Sequence, residues 1–181
     1  MSNITKTELL HVASSMLLSK GLNGFSLQEL ASALSIKKSS LFHYYPSKAV
    51  LGVELIRFYQ KSFSEWILRF ENLSPEKQIL NYGKKLTSWI CKKQRVCPVG
   101  ALGLEWNLVA PEIQIEVIKL HKLQKIWLKK LFNRMPLRVS PSEAVIGTMA
   151  LIQGSIQLAR MNEDPSLVTK NLKSYLKSIT L

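Results

Sequence analysis

Two lysines and two serines in a row, Lys37, Lys38, Ser39 and Ser40, are followed by Phe42, His43 and Tyr44 and, past a proline, by Lys48. Lysine binds phosphate oxygens or guanine edges, serine reaches bases or phosphates, and an aromatic ring packs on a thymine methyl or a sugar. Ser26 and Gln28, a little upstream, add a hydroxyl and an amide to the set. These are residue types for gripping a polyanion. His43 fits two readings equally, a DNA contact or an exposed helix residue. Parts for other chemistries are missing. His11, His43 and His121 lie on separate segments, and there is neither a Gly-rich phosphate loop nor a Ser-His-Asp or paired-carboxylate set, so no enzyme activity is expected. Cys91 and Cys97 lack CxxC spacing and a nearby histidine pair, so neither a metal site nor a cofactor is expected.

The elements that hold these residues are short helices. Ser26 is a good N-cap, and Glu29 three residues on completes a capping box. Leu27, Leu30, Ala31 and Leu34 then form one apolar stripe, and Ser35 with Ile36 breaks it. A second helix opens at the lysines, with Leu41 and Tyr45 turned inward. Pro46 ends it, because the residue before a proline is pushed out of the helical region. Ser47 caps the next helix. The arrangement is a helix-turn-helix whose second helix is basic and hydroxyl-rich at the end where backbone N–H groups and the helix dipole favour phosphate.

A chain of 181 residues, 46% apolar, has room for such a head and one larger helical domain; residues 1–46 and 47–181 are the expected division. No apolar run approaches the ~20 residues that span a bilayer. The first residues, MSNITKTELL, carry no apolar signal region, so the expected location is the cytoplasm, away from membranes. The net charge of +13 implies attraction to nucleic acid or an anionic surface without choosing between them. It is not confined to the head: Lys84, Lys85, Lys92, Lys93 and Arg95 load one region, and Lys119, Lys122, Lys125, Lys129 and Lys130 another.

Around the head, periodicity predicts an all-α chain of about nine helices. The first runs from about Thr5 to Lys20 and ends at Gly21. A long fourth helix starts at Ser47 and carries Leu51, Leu55, Phe58, Phe63, Trp66 and Phe70 inward. Ser74-Pro75 opens the fifth, a sixth covers the stretch to Ala110, and Pro111 begins the seventh. Ser140-Pro141-Ser142-Glu143 is a strong start for the eighth, and a break at Asn162–Pro165 leaves a last amphipathic helix.

The run from Leu9 to Leu51 resembles the tetracycline-repressor (TetR) family of bacterial transcription regulators. The residues that carry the resemblance are LLHVASSMLLSKG, with Ala13, Leu17 and Gly21; Ser26 to Ala31; and IKKSSLFHYYPSK from Ile36 to Lys48. The resemblance implies that Lys37, Lys38 and Ser39 face bases and that Ser26, Tyr44 and Lys48 face the DNA backbone. Gln28, Ser40, Phe42 and His43 complete the surface. The chain departs from the family pattern at Ser35, where a turn glycine is usual, at Phe42 for Tyr and at Tyr44 for His. Phe42 lacks the hydroxyl that reaches a phosphate.

Cys97, Gly100, Ala101, Gly103 and Glu105 resemble a subgroup whose sixth helix opens with Cys-x-x-Gly. By resemblance, Trp89, Leu104, Trp106, Asn107, Trp127, Met149 and Gln153 stand on helices that enclose a small-molecule effector. Cys97 adds the alternative of a thiol sensing electrophiles or oxidants, with Lys92, Lys93 and Arg95 favouring its thiolate. On the eighth helix Gly147, Gly154 and Met161 form one heptad line and Ala144, Leu151 and Leu158 another, beside Val168, Leu172 and Tyr175 on the last helix. The family pairs these helices with their copies across a two-fold, which implies a homodimer. The expected function is a repressor of double-stranded operator DNA, released by a small-molecule inducer. A non-specific basic nucleoid coater is the remaining alternative.

Overall fold

The computed structural model describes residues 4–93 and 96–181, apart from the side chains of residues 89–93. The described residues form nine α-helices: α1 (Lys6–Lys20), α2 (Leu27–Ala33), α3 (Lys38–Tyr44), α4 (Lys48–Phe70), α5 (Pro75–Lys93), α6 (Pro98–Leu104), α7 (Pro111–Phe132), α8 (Pro141–Met161) and α9 (Leu167–Ile179). The all-α class expected from periodicity holds. The chain divides into two compact units, one of residues 1–63 with 98–120, the other of residues 64–97 with 121–181. The helices α4 and α7 each cross from one unit to the other.

Capping fixes the starts of the short helices in the first unit. The Ser26 hydroxyl accepts from Glu29 N at 3.1 Å, and the Glu29 carboxylate accepts from Ser26 N at 2.6 Å. Those reciprocal bonds satisfy two amides that the first turn of α2 leaves over. They also hold the Glu29 carboxyl below its usual range, the bond from the Ser26 amide being the largest cause. Leu30 and Ala31 of α2 and Leu41 of α3 are buried, and so is Tyr45 just beyond α3. Between the helices, Ile36 N donates to Ala31 O at 3.0 Å, which requires the backbone to reverse at Ser35 with φ of 54°. Serine is a strained occupant of that left-handed region.

The sixth helix is shorter than its expected end at Ala110. It stops at Leu104, and a separate 3₁₀ turn covers Trp106–Leu108. Leu108 N and Val109 N both donate back to Glu105 O, at 2.8 and 3.2 Å, which tightens the chain into the turn. Gln114 of α7 donates to Trp106 O at 2.6 Å and fixes it from the other side. At Gly52 of α4, a side chain would crowd Ile113 and Leu22, so the missing Cβ lets α7 come close. Glu116 is nearly buried yet charged. It accepts from Lys119 at 2.8 Å, Gln60 at 3.0 Å and Arg57 at 3.4 Å, and the Lys119 bond is the main cause of its lowered pKa.

In the second unit α8 and α9 lie together, and both pack on α5. The capping box at Ser140 and Glu143 forms as the sequence implies, with bonds of 3.2 and 2.8 Å. The Tyr175 hydroxyl fills the place where Gly147 has no side chain. Trp66, Tyr82 and Trp127 make an aromatic triangle with ring centroids 5.5 to 5.7 Å apart. Gln124, also buried, donates to the Tyr82 hydroxyl at 3.1 Å.

Replacing Ser35 by glycine removes the Cβ from a left-handed position, which outweighs the extra freedom of the unfolded chain. Ser35→Gly should therefore stabilise the protein by about 0.5–1 kcal/mol, read as a rise in the urea midpoint. A fall in the midpoint would show that the turn carries no strain.

Candidate nucleic-acid interface

One face of the head gathers most of the expected contacts. Ser26, Gln28, Lys38, Phe42 and Lys48, with Asn23, Gly24, Phe25, Leu27 and Glu29, line an open hollow of about 580 Å³. Lys37, Ser39, Ser40 and His43 are exposed on α3 or at its start but do not line that hollow. The Lys38 ammonium lies 5.5 Å from the Phe42 ring centre, a cation–π contact that orients an otherwise loose side chain.

Two residues are already engaged. The Tyr44 hydroxyl donates to Ile4 O at 3.1 Å. A phosphate offers only acceptors, so Tyr44 would have to release Ile4 to reach one. Lys48 donates to Phe25 O and sits 5.1 Å from the Phe25 ring centre, half-buried. Burial lowers its pKa, and the charges of Glu105 and Glu29 oppose that fall. An ammonium has three donors, so Lys48 keeps capacity for a phosphate beside the hollow.

Charge is unevenly shared. The first unit holds 8 Lys or Arg against 6 Asp or Glu, and the second 17 against 6. The first unit nevertheless presents Lys37 and Lys38 as a cationic edge, because most of its acids are held in caps or ion pairs, even though Glu29 lines the same hollow as Lys38. Glu8 and Glu29 cap α1 and α2, Glu54 pairs with Lys6 and Arg57, and Glu116 pairs with Arg57 and Lys119. Among the described residues neither Lys37 nor Lys38 has an acidic partner.

Residues 9–55 match the family described as bacterial regulatory proteins, tetR family. The N-terminal segment is thus a TetR-type helix-turn-helix. Solved structures agree over nearly the whole chain. A TetR transcriptional regulator from Legionella pneumophila has a TM-score of 0.89 at 22% identity, over 99% of this chain and 100% of that one. One from Agrobacterium tumefaciens has 0.89 at 22%, over 96% of each chain. A regulatory protein TetR from Rhodobacter sphaeroides has 0.85 at 19%, over 95% of this chain and 97% of that one. At such identities the likeness establishes a TetR-like fold. No curated protein matches the chain by sequence.

Beyond the TetR-type head, the residues expected around an effector fall in both units and differ in exposure. Leu104 and Asn107 are exposed and Trp106 is half-buried in the first unit. Met149 and Gln153 are half-buried on α8, and Trp127 is packed into the aromatic triangle. The side chain of Trp89 lies outside the described residues, as do those of Cys91, Lys92, Lys93 and Arg95. Cys97 is 2% exposed, a setting in which a thiol is shielded from oxidants in solvent.

The expected dimer residues separate in the same way. Ala144, Val168 and Leu172 are buried within the chain, where Leu172 meets Gly83, and Tyr175 is taken up by Gly147. Leu151 is half-buried. Gly154 has open space in front of it, while Leu158 and Met161 are 48% and 80% exposed. Together with Ile146 (62% exposed) and Ala150, which sequence spacing did not single out, they form one apolar strip along α8. The heptad line through the glycines pointed to Gly147, but the Tyr175 ring occupies that gap.

Lys85 stands out among the second unit's cations. Burial pushes its ammonium down to about 8, Arg69 adds to the fall, and Cys97 opposes it. The charged form rests 5.1 Å from the Trp66 ring centre. An unfolded lysine keeps its proton to about pH 10.4. Between about pH 8 and 10 the unfolded chain therefore binds more protons, and stability rises with pH across that window. Urea unfolding at pH 7.5 and 9.5 should show the wild type gaining roughly 1 kcal/mol relative to Lys85→Met, a figure reduced for partial solvent screening. Equal pH slopes would mean that no charge is buried there.

Proposed function

We propose that this chain is a ligand-responsive, DNA-binding transcriptional regulator of the cytoplasm. It binds a palindromic operator as a homodimer and represses until a small-molecule inducer releases it. The observation that carries the reading is the cationic start of α3, where among the described residues Lys37 and Lys38 lack acidic partners and Lys38 borders a hollow shared with Ser26, Gln28 and Lys48. Residues 1–46 read DNA in this account, and residues 47–181 bind the effector and the second copy. Within the family, the run from Cys97 to Glu105 supports the Cys-x-x-Gly subgroup. An inducer needs a differential affinity of only ~1–3 kcal/mol between DNA-competent and incompetent states to change operator affinity 5–150-fold.

The dimer is assigned to the strip of Ile146, Ala150, Gly154, Leu158 and Met161. An apolar face of that kind favours burial against its own copy, and the open space at Gly154 lets two helices approach.

Selection from random duplexes by the purified protein should return a palindrome with half-sites about 34–36 Å apart, one DNA turn. Lys38→Ala should weaken binding to the selected duplex at least tenfold at an unchanged melting temperature. If Lys38 neutralises a phosphate, the same substitution should also make the salt dependence of binding shallower, by about 0.9 in the log–log slope. A protein that coats every sequence equally would refute the reading.

Leu158→Glu combined with Met161→Glu should turn the dimer into a folded monomer, by light scattering and far-UV circular dichroism. A dimer that survives both charges would place the interface elsewhere.

A further inference from the structure

Among the described residues Glu105 neither caps its own helix nor joins an ion pair. Its carboxylate instead collects donors from a segment more than 80 positions away in sequence. Leu22 N donates at 2.9 Å, Asn23 N at 3.2 and 3.3 Å, and the Asn23 side-chain amide at 3.3 Å. Leu22 and Asn23 follow Gly21, which closes α1 with φ of 79° and donates its own N–H to Leu17 O. That conformation turns two successive backbone amides toward one point, an anion-holding concavity that the carboxylate fills. A Cβ at Gly21 would overlap Glu105 Oε1, so the turn and the carboxylate are fitted to each other. The other end of the same segment is held by Lys48, which donates to Phe25 O. Ser26 follows at once as the N-cap of α2.

We propose that Glu105 is a positioning residue for DNA binding: it clamps the α1–α2 turn and so sets how α2 and α3 are presented to the duplex. The short segment from Leu22 to Phe25 has no helix of its own to stiffen it. Without the clamp, Leu22 and Asn23 lose their acceptor and the entry to α2 is free to shift. Because Glu105 sits where α6 gives way to the 3₁₀ turn, a displacement of that junction would reach the DNA-binding face through this carboxylate. The inference rests on the DNA-binding reading above.

The test compares Glu105→Ala, Glu105→Gln and the wild type on the selected duplex and, without DNA, by amide hydrogen exchange. Glu105→Ala should lose at least tenfold in operator affinity with a melting temperature within a few degrees of wild type. Glu105→Gln keeps one acceptor oxygen but loses the other and the charge, and should recover only part of that loss. In Glu105→Ala the amides of Leu22 and Asn23 should exchange at least tenfold faster, while those of Leu30 in α2 and Tyr45 after α3 keep their protection. Unchanged affinity in Glu105→Ala, or a loss of protection throughout the head, overturns the proposal. Should Glu105→Ala not fold, Glu105→Gln alone must bind at least threefold more weakly at an unaltered melting temperature, and equal binding overturns it. A wild type that selects no sequence defeats the DNA-binding reading itself, whereas a wild type that binds no better than Glu105→Ala defeats only the clamp.

Discussion

Every helix end leaves backbone amides and carbonyls that must find partners, and the head of this protein is organised by how its ends find them. Thr5 and Ser26 answer locally, each with a glutamate three residues on, as Ser140 does in the second unit. The exit of α1 is answered from a distance, by Glu105. Local caps fix where a helix starts and say nothing about where it points. The distant bond is of the second kind, since it ties the direction of the chain leaving α1 to the end of α6. Packing of α2 on α3, through buried Leu30, Ala31 and Leu41, holds those two helices to each other independently of that bond.

That difference also explains what the sequence could and could not tell. Residues that interact three or four positions apart announce themselves. The capping boxes at Ser26 and Ser140, the proline stops, Gly21 and the breaks at Ser35 and Asn162 were therefore readable, and with them the order of helices. The strip on α8 was nearly readable, but heptad counting cannot tell that a ring from α9 will fill the glycine at 147. Tyr44 was assigned by resemblance to the DNA backbone, and nothing in the local sequence hints that the Ile4 carbonyl would accept its hydrogen bond. Glu105 stood inside a small-residue run that resembled a subgroup, with no signal that its carboxylate faced Leu22 and Asn23. The 3₁₀ turn after it escaped for the same reason, being created by bonds back to one carbonyl instead of by side-chain periodicity.

The electrostatics separate roles that composition blurs. A large net charge invites the idea that the whole molecule is a polycation for nucleic acid, yet the head is close to neutral. Its positive face arises by subtraction, because carboxylates are occupied by caps and ion pairs, which leaves Lys37 and Lys38 unopposed. A face built that way concentrates its field on a few groups. Most of the excess cations are in the other unit, where Lys85 shows that even a lysine can be drawn against an indole ring.

The fit of Tyr175 into Gly147 has a consequence for descent. The two positions share one small volume, so a methyl group at position 147 would force the ring at 175 to swing aside or give way to a smaller residue, and a shrinking residue at 175 would open room at 147. Among descendants of this sequence the pair should drift together, a linked inheritance written by steric exclusion alone.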